Sequence, residues 1–157
     1  MISFTPTLIL RHRKENLKKC SLRGLESRDD FKFFVYPTDI LPSLDHYILL
    51  TPDAKALTTD DASSGIFLID ATWRYAAVMF KSLPAPHLFK CRSIPGGITT
   101  AYPRTQDQPC GLASIEALFI AYLMTGRDAS FLLDNYHWKD SFLEKNRESI
   151  DFLTKVQ

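Results

Sequence analysis

The stretch GIFLIDATWRYAAVMF, residues 65–80, changes its period half-way. Residues 65–69 form a continuous apolar run rich in β-branched and aromatic side chains, the pattern of a strand covered on both faces. From residue 72 onward the apolar positions recur at helical spacing, and Pro84 and Pro86 stop a helix predicted over 72–83. A strand running straight into a helix is the unit from which parallel sheets are built, with helices packed on their faces. At the junction stand an acid, Asp70, a hydroxyl, Thr72, and an indole, Trp73. Open α/β sheets bind ligands beyond the carboxyl ends of their strands, so this junction is the first place to look for chemistry.

Four further short runs read as strands: 6–10, 31–36, 46–50 and 87–91. Residues 112–126 are apolar on nearly every side and end at Gly126, which predicts a helix sunk in the core. Helices are also expected over 128–136 and 140–155, the latter with the alternating charges of a solvated face. The sum is an α/β domain with a largely parallel sheet, with no internal repeat and no low-complexity tract. Long loops at 53–64 and 95–111 are where function concentrates. Two other strand exits are unusual: Thr51-Pro52, and Arg92 followed by Pro95-Gly96-Gly97. None of the exits is a glycine-rich dinucleotide fingerprint or a P-loop. Taken singly, Asp70 reads as a helix N-cap, Trp73 as core and Pro95-Gly96-Gly97 as a turn.

Nineteen basic and eighteen acidic residues leave a net charge of +1, so no global field draws the chain to nucleic acid or membrane. Any anion-binding surface must be local. Residues 11–24 hold Arg11, Arg13, Lys14, Lys18, Lys19 and Arg23 against one acid, Glu15. Such a run is most often a solvated face, and otherwise a contact for an RNA backbone. No Phe, Tyr or Trp interrupts it, so base stacking would have to come from elsewhere in the chain. Cys20, Cys91 and Cys110 are odd in number and widely spaced, which points to reduced thiols in a cytoplasmic protein and to no metal site. No apolar run approaches the roughly 20 residues of a membrane span, and charge follows the first apolar stretch instead of preceding it, unlike a signal peptide. The histidines are scattered and carry no predicted catalysis. Glu116, near a helix start, is stabilised there by the dipole alone, and Trp138 reads as core.

Taken in order, Lys18-Lys19-Cys20-Ser21, Leu50-Thr51-Pro52, Asp70-Ala71-Thr72-Trp73, Arg92-Ser93-Ile94-Pro95 and Leu112-Ala113-Ser114-Ile115-Glu116-Ala117 resemble the motif series of the ribosome-maturation aminocarboxypropyltransferases, relatives of the DTW-domain proteins that modify transfer RNA. The resemblance runs from about residue 9 to 153. It implies a SPOUT-like fold: a small N-terminal α/β lobe with the basic RNA-binding segment, residues 1–60, integrated with a knotted domain over 61–157 whose C-terminal trefoil knot holds S-adenosylmethionine. Such knots are rare exceptions to the rule against threaded chains.

The same resemblance implies the chemistry. The family moves the 3-amino-3-carboxypropyl arm of S-adenosylmethionine to a base nitrogen of uridine or pseudouridine, with methylthioadenosine leaving. The donor is already activated, so the protein's task is orientation. Asp70 would hold the donor's amine or accept the proton of the base, the first needing only a charge-assisted hydrogen bond. Trp73 would wall the methionine side, Ser21 would face the donor carboxylate, and Leu50, Ile69, Ile94, Cys110, Leu112 and Ser114 would enclose the adenosine. Arg11, Arg13, Lys14, Lys18, Lys19 and Arg23 would meet the RNA, ribosomal or transfer, with the chain acting as a monomer. A knotted methyltransferase and a non-catalytic RNA-binding assembly factor are the rival readings. Three positions depart from the family: AYPRTQD (101–107) replaces an NPVNYG-like segment and shares Pro103, Cys110-Gly111 stands where a tyrosine is usual, and Ala113 replaces a serine.

Overall fold

In the computed structural model, residues 4–84, 89–103 and 111–155 are described. Five parallel strands form one sheet: β1 (Thr7–His12), β2 (Phe31–Tyr36), β3 (Tyr47–Leu50), β4 (Gly65–Asp70) and β5 (Lys90–Arg92), ordered β2-β1-β4-β3-β5. The expected strand at 87–91 begins later, at Lys90, and His87 and Leu88 lie outside the described residues. The helices are α1 (Trp73–Lys81), α2 (Ser114–Met124), α3 (Lys139–Lys145) and α4 (Arg147–Lys155). Among the described residues no helix is long and apolar enough to cross a membrane.

Successive residues of a strand face opposite sides, so the sheet divides the apolar side chains into two layers. Leu8, Leu10, Leu49 and Phe67 pack with Met79 and Leu83 on the α1 side. Ile9, Ile48, Leu50, Ile66 and Leu68 pack on the other side with Leu22, Leu25 and the buried residues of α2. Cover on both faces is why β1 and β4 read as unbroken apolar runs. Gly65 is required where β4 begins, because a Cβ there would stand 2.5 Å from the Tyr47 ring.

The helix ends follow local chemistry. Thr72 is the N-cap residue of α1, and at the far end the Ser82 hydroxyl donates to the Met79 carbonyl (2.6 Å) just before Pro84. At the start of α2 the N-cap residue is Ala113, which has no side-chain acceptor. Two other residues serve instead: Glu116 accepts from the Ala113 N–H (2.8 Å), and Ser21 accepts from the Ile115 N–H (3.2 Å). Gly126, with φ +72°, follows the end of α2.

Two helix expectations are corrected. Residues 128–136 form successive turns: the Leu132, Asp134 and Tyr136 N–H groups each reach the carbonyl three residues back, and the Asp128 carboxylate accepts from the Ser130 N–H. A local side-chain acceptor of this kind competes with the helical ladder. The segment 140–155 is two helices, because the buried Asn146 between α3 and α4 turns its side chain to the backbone of Thr99, with bonds of 2.7 and 2.8 Å.

Candidate active site at the carboxyl edge of the sheet

β1 connects outward to β2 while β4 connects the other way, through α1 to β5. The loops therefore part between β1 and β4, the position at which doubly wound sheets open a crevice. Arg11 and Asp70 are register partners there. Adjacent register partners project from the same face, and both are nearly fully buried, at 6% and 4% exposure. Arg11 Nε donates to Asp70 Oδ2 at 3.0 Å and Nη1 donates to Glu26 Oε1 at 3.0 Å, while the guanidinium lies 4.6 Å from the Phe33 ring centre. The Cys20 thiol donates to the same Asp70 Oδ2 at 3.2 Å and receives Arg11 Nη2 at 3.4 Å. Burial, and then the negative charge of Asp70, push that thiol from its ordinary 9.0 up to about 12, so it stays protonated as a donor.

Asp70 is thus not the N-cap of α1; Thr72 is. Its Oδ2 is committed to Arg11 and Cys20, whereas its Oδ1 receives the Ser114 hydroxyl among the described residues, at 3.5 Å. Ligand atoms of Glu15, Cys20 and Asp70 lie within 4.8 Å of one another, and the Arg11 guanidinium already supplies positive charge to that group.

The other expected donor-site residues fall into two sets. Trp73, Ser21, Ile94, Leu112 and Ser114 are each partly buried. Leu50 is buried in the layer beneath them. Ile69 departs from expectation: strand alternation turns its side chain into the opposite, α1-side layer, which leaves only its backbone to the edge. Cys110 lies outside the described residues, as do residues 104–107 of the altered loop.

The loops beside this edge are tied together. The N–H of Ser93 donates to the Lys55 carbonyl (2.9 Å), the N–H of Leu57 to the Ser93 carbonyl (2.8 Å), and the Ser93 hydroxyl to the Ala54 carbonyl (2.8 Å), so the chain leaving β3 lies along the chain leaving β5. Arg92 Nε adds a bond to the buried Asp61 at 3.1 Å. Glu116, fully buried, accepts from the Thr100 hydroxyl, the Ala101 and Ala113 N–H groups and the Tyr136 hydroxyl. Every one of its lone pairs serves the scaffold, and it anchors the stretch after Pro95-Gly96-Gly97 to α2.

Of the basic segment, Arg13, Lys14, Lys18, Lys19 and Arg23 are exposed. Arg11 is the correction. It sits in the strand, not the loop, and its buried guanidinium is paired with the buried Asp70 and the exposed Glu26, so it cannot reach a polyanion in solvent. Sequence reasoning missed this partnership, although a signal was present: in Ile9 to Arg11 a cation occupies the next inward-facing position of a buried strand. Two clefts, of about 400 Å³ along α3 and α4 and about 240 Å³ near Arg28 and Arg127, lie away from Asp70.

Comparison with known proteins fits this arrangement. A family model described as ribosome biogenesis protein, C-terminal, matches residues 48–157. Proteins named 16S rRNA aminocarboxypropyltransferase are similar to this chain: that of Methanopyrus kandleri at 30% identity over 70% of this chain and 68% of its own length, and that of Methanosarcina acetivorans at 34% over 66% and 61%. The SAM-dependent rRNA:acp-transferase Tsr3 from Vulcanisaeta distributa shares the fold, with TM-score 0.75 over 98% of this chain and 85% of that one at 22% identity. With its family model spanning most of the sequence and the Methanopyrus relative matched over two thirds of its length, the chain belongs to the ribosome biogenesis protein family defined by that C-terminal domain.

Proposed function

We propose that this protein transfers a 3-amino-3-carboxypropyl group from S-adenosylmethionine to a base nitrogen of uridine or pseudouridine in small-subunit ribosomal RNA. The observation that carries the reading is the Asp70–Arg11–Cys20 constellation at the point where the β1 and β4 loops part, in a chain whose relatives are named for this reaction. The residues fit the donor chemically. S-adenosylmethionine presents a sulfonium and an ammonium against one carboxylate, and the edge offers the buried Asp70 carboxylate near a half-buried indole.

Bound S-adenosylmethionine supplies an activated γ-carbon, and methylthioadenosine departs when the base nitrogen attacks it. Asp70, with Oδ2 locked by two donors, uses Oδ1, beside the Ser114 hydroxyl, to hold the donor ammonium. Trp73 walls the sulfonium side. Ile94 and Leu112 supply apolar contact for the adenosine, with Leu50 beneath and the Ile69 backbone at the strand end. Ser114 sits on the Asp70 Oδ1 side, and Ser21, bonded to the Ile115 N–H, stands at the start of α2 where a donor carboxylate is favoured. Cys110 belongs to the same proposed enclosure. Arg13, Lys14, Lys18, Lys19 and Arg23 meet the phosphates of the RNA.

The finer fold assignment belongs to this proposal: a SPOUT-like trefoil knot in residues 61–157, an N-terminal lobe over 1–60, and kinship with the DTW-domain proteins. The laying of residues 54–57 along Ser93, and the anchoring of Thr100 and Ala101 on α2, support closely interlocked loops. A monomer in the cytoplasm completes the reading, which the free thiols of Cys20 and Cys91 suit. Nucleoside mass spectrometry of ribosomal and transfer RNA from cells with and without the protein tests it. Loss of an aminocarboxypropyl nucleoside from small-subunit RNA is expected; loss of a methylated nucleoside instead would establish the methyltransferase reading, and loss from transfer RNA would relocate the substrate.

A further inference from the structure

Base stacking had no visible source in the basic segment, because residues 11–24 contain no Phe, Tyr or Trp. The fold brings one to it. His12, last residue of β1, is the register partner of Tyr36 at the end of β2, and their ring centres are 5.7 Å apart. From the first turn of α1, Tyr75 lays its ring flat on His12, with centres 4.0 Å apart and planes 9° from parallel. The Lys14 N–H donates to His12 Nδ1 at 3.1 Å, which places the imidazole proton on Nε2 and fixes the ring. Burial and the neighbouring Lys14 and Arg13 charges lower the His12 pKa, which keeps it a neutral, flat backing for Tyr75.

His12 is 8% exposed, so it is a support; Tyr36 and Tyr75 are the half-exposed faces. Exposed cations surround them: Arg13 and Lys14 directly after His12, and Arg74 beside Tyr75. Lys14 Nζ stands 5.9 Å from the Tyr75 ring centre. Arg11 and His12 are consecutive, so the aromatic cluster and the Asp70 pair occupy opposite faces of one strand end, within about a nucleotide's reach across the carboxyl edge. Aromatic faces among flexible cations are the recurring means of holding a single strand whose base has been splayed out.

We propose that the Tyr36–His12–Tyr75 cluster is the platform on which a base flanking the acceptor nucleotide of single-stranded RNA stacks, with Arg13, Lys14 and Arg74 taking the adjacent phosphates. The inference rests on the RNA reading above and adds to it the residues that position the strand. Tyr75 is a positioning residue: it holds the neighbour so that the acceptor base arrives at Asp70 in one orientation.

Binding of a labelled uridine-containing single-stranded RNA, followed by anisotropy over a range of salt, tests this. Tyr75→Leu, which keeps apolar bulk on α1, is expected to weaken binding about 5- to 150-fold with the salt slope unchanged, since stacking is lost and no ion is released. Tyr75→Phe keeps the ring and should bind within about twofold of the parent. Lys14→Ala should lower the salt slope by about one. Donor binding by calorimetry should be the same in parent and Tyr75→Leu, which separates a lost platform from a lost fold, and Tyr36→Leu gives a second variant with the same expected loss. Parent-like RNA affinity in both leucine variants overturns the platform while leaving the proposed transfer intact; a parent protein that takes the donor but no RNA overturns both.

Discussion

In the proposed transfer Asp70 concentrates the chemistry, because each of its oxygens has a different partner. Oδ2 is held by Arg11 and the Cys20 thiol, and Oδ1 faces Ser114. Asp70→Asn keeps the shape and removes the charge, so transfer is expected to fall by about 10- to 150-fold, the equivalent of one charge-assisted hydrogen bond of about 1.5–3 kcal/mol. A rise in donor KM assigns the loss to holding the ammonium, whereas a fall in kcat alone assigns it to proton acceptance. The Cys20 thiol gives a pH signature. Its pKa is raised from 9.0 to about 12 on folding, so the native state keeps a proton that the unfolded chain releases. This contribution is complete below pH 9 and is lost as pH rises toward 12, so stability falls through that window. Denaturant titrations across it should show a shallower alkaline fall in Cys20→Ser, whose hydroxyl does not ionise there. The acid at the strand's end and the motif around Cys20 were readable in the sequence. That Arg11 would pair with them was not, because the pairing depends on the β1–β4 register, which joins residues 59 apart in sequence.

α2 is held by what Glu116 receives. Glu116→Ala leaves the Thr100 and Tyr136 hydroxyls and two backbone N–H groups without their acceptor, in a setting with no exposed surface at that carboxylate. A loss of about 3–5 kcal/mol is expected, measurable by urea denaturation, because breaking a buried polar cluster leaves each donor's desolvation uncompensated. Leu118→Ala, two residues on and fully buried, should cost about 2–5 kcal/mol by cavity formation alone. Helix α2 and strand β4 were evident from their apolar runs. The turns at 128–136 and the break at Asn146 were not, since each is set by a side chain choosing a backbone partner, and for Asn146 that partner is Thr99 on a distant loop.

One parallel sheet with the proposed donor site at its carboxyl edge makes donor binding a test of the entire fold. A ligand bound only by the native state stabilises it, by about 2.7 kcal/mol at a hundred times its Kd. For a domain of this size that is a rise in thermal midpoint of about 5–10 °C with S-adenosylmethionine. Composition had already shown that recognition of a polyanion must be local, at a net charge of +1, and the exposed cations do gather beside that edge. What composition could not convey was the arrangement of the edge itself, where strands distant in sequence put Arg11, Asp70, His12 and Tyr75 within a few residues of one another. The most direct test supplies ribosomal RNA and the protein with S-adenosylmethionine labelled either in its carboxyl carbon or in its methyl. Carboxyl label entering the RNA while the methyl label leaves with methylthioadenosine is the expected result; methyl label retained in the RNA would contradict the proposed transfer.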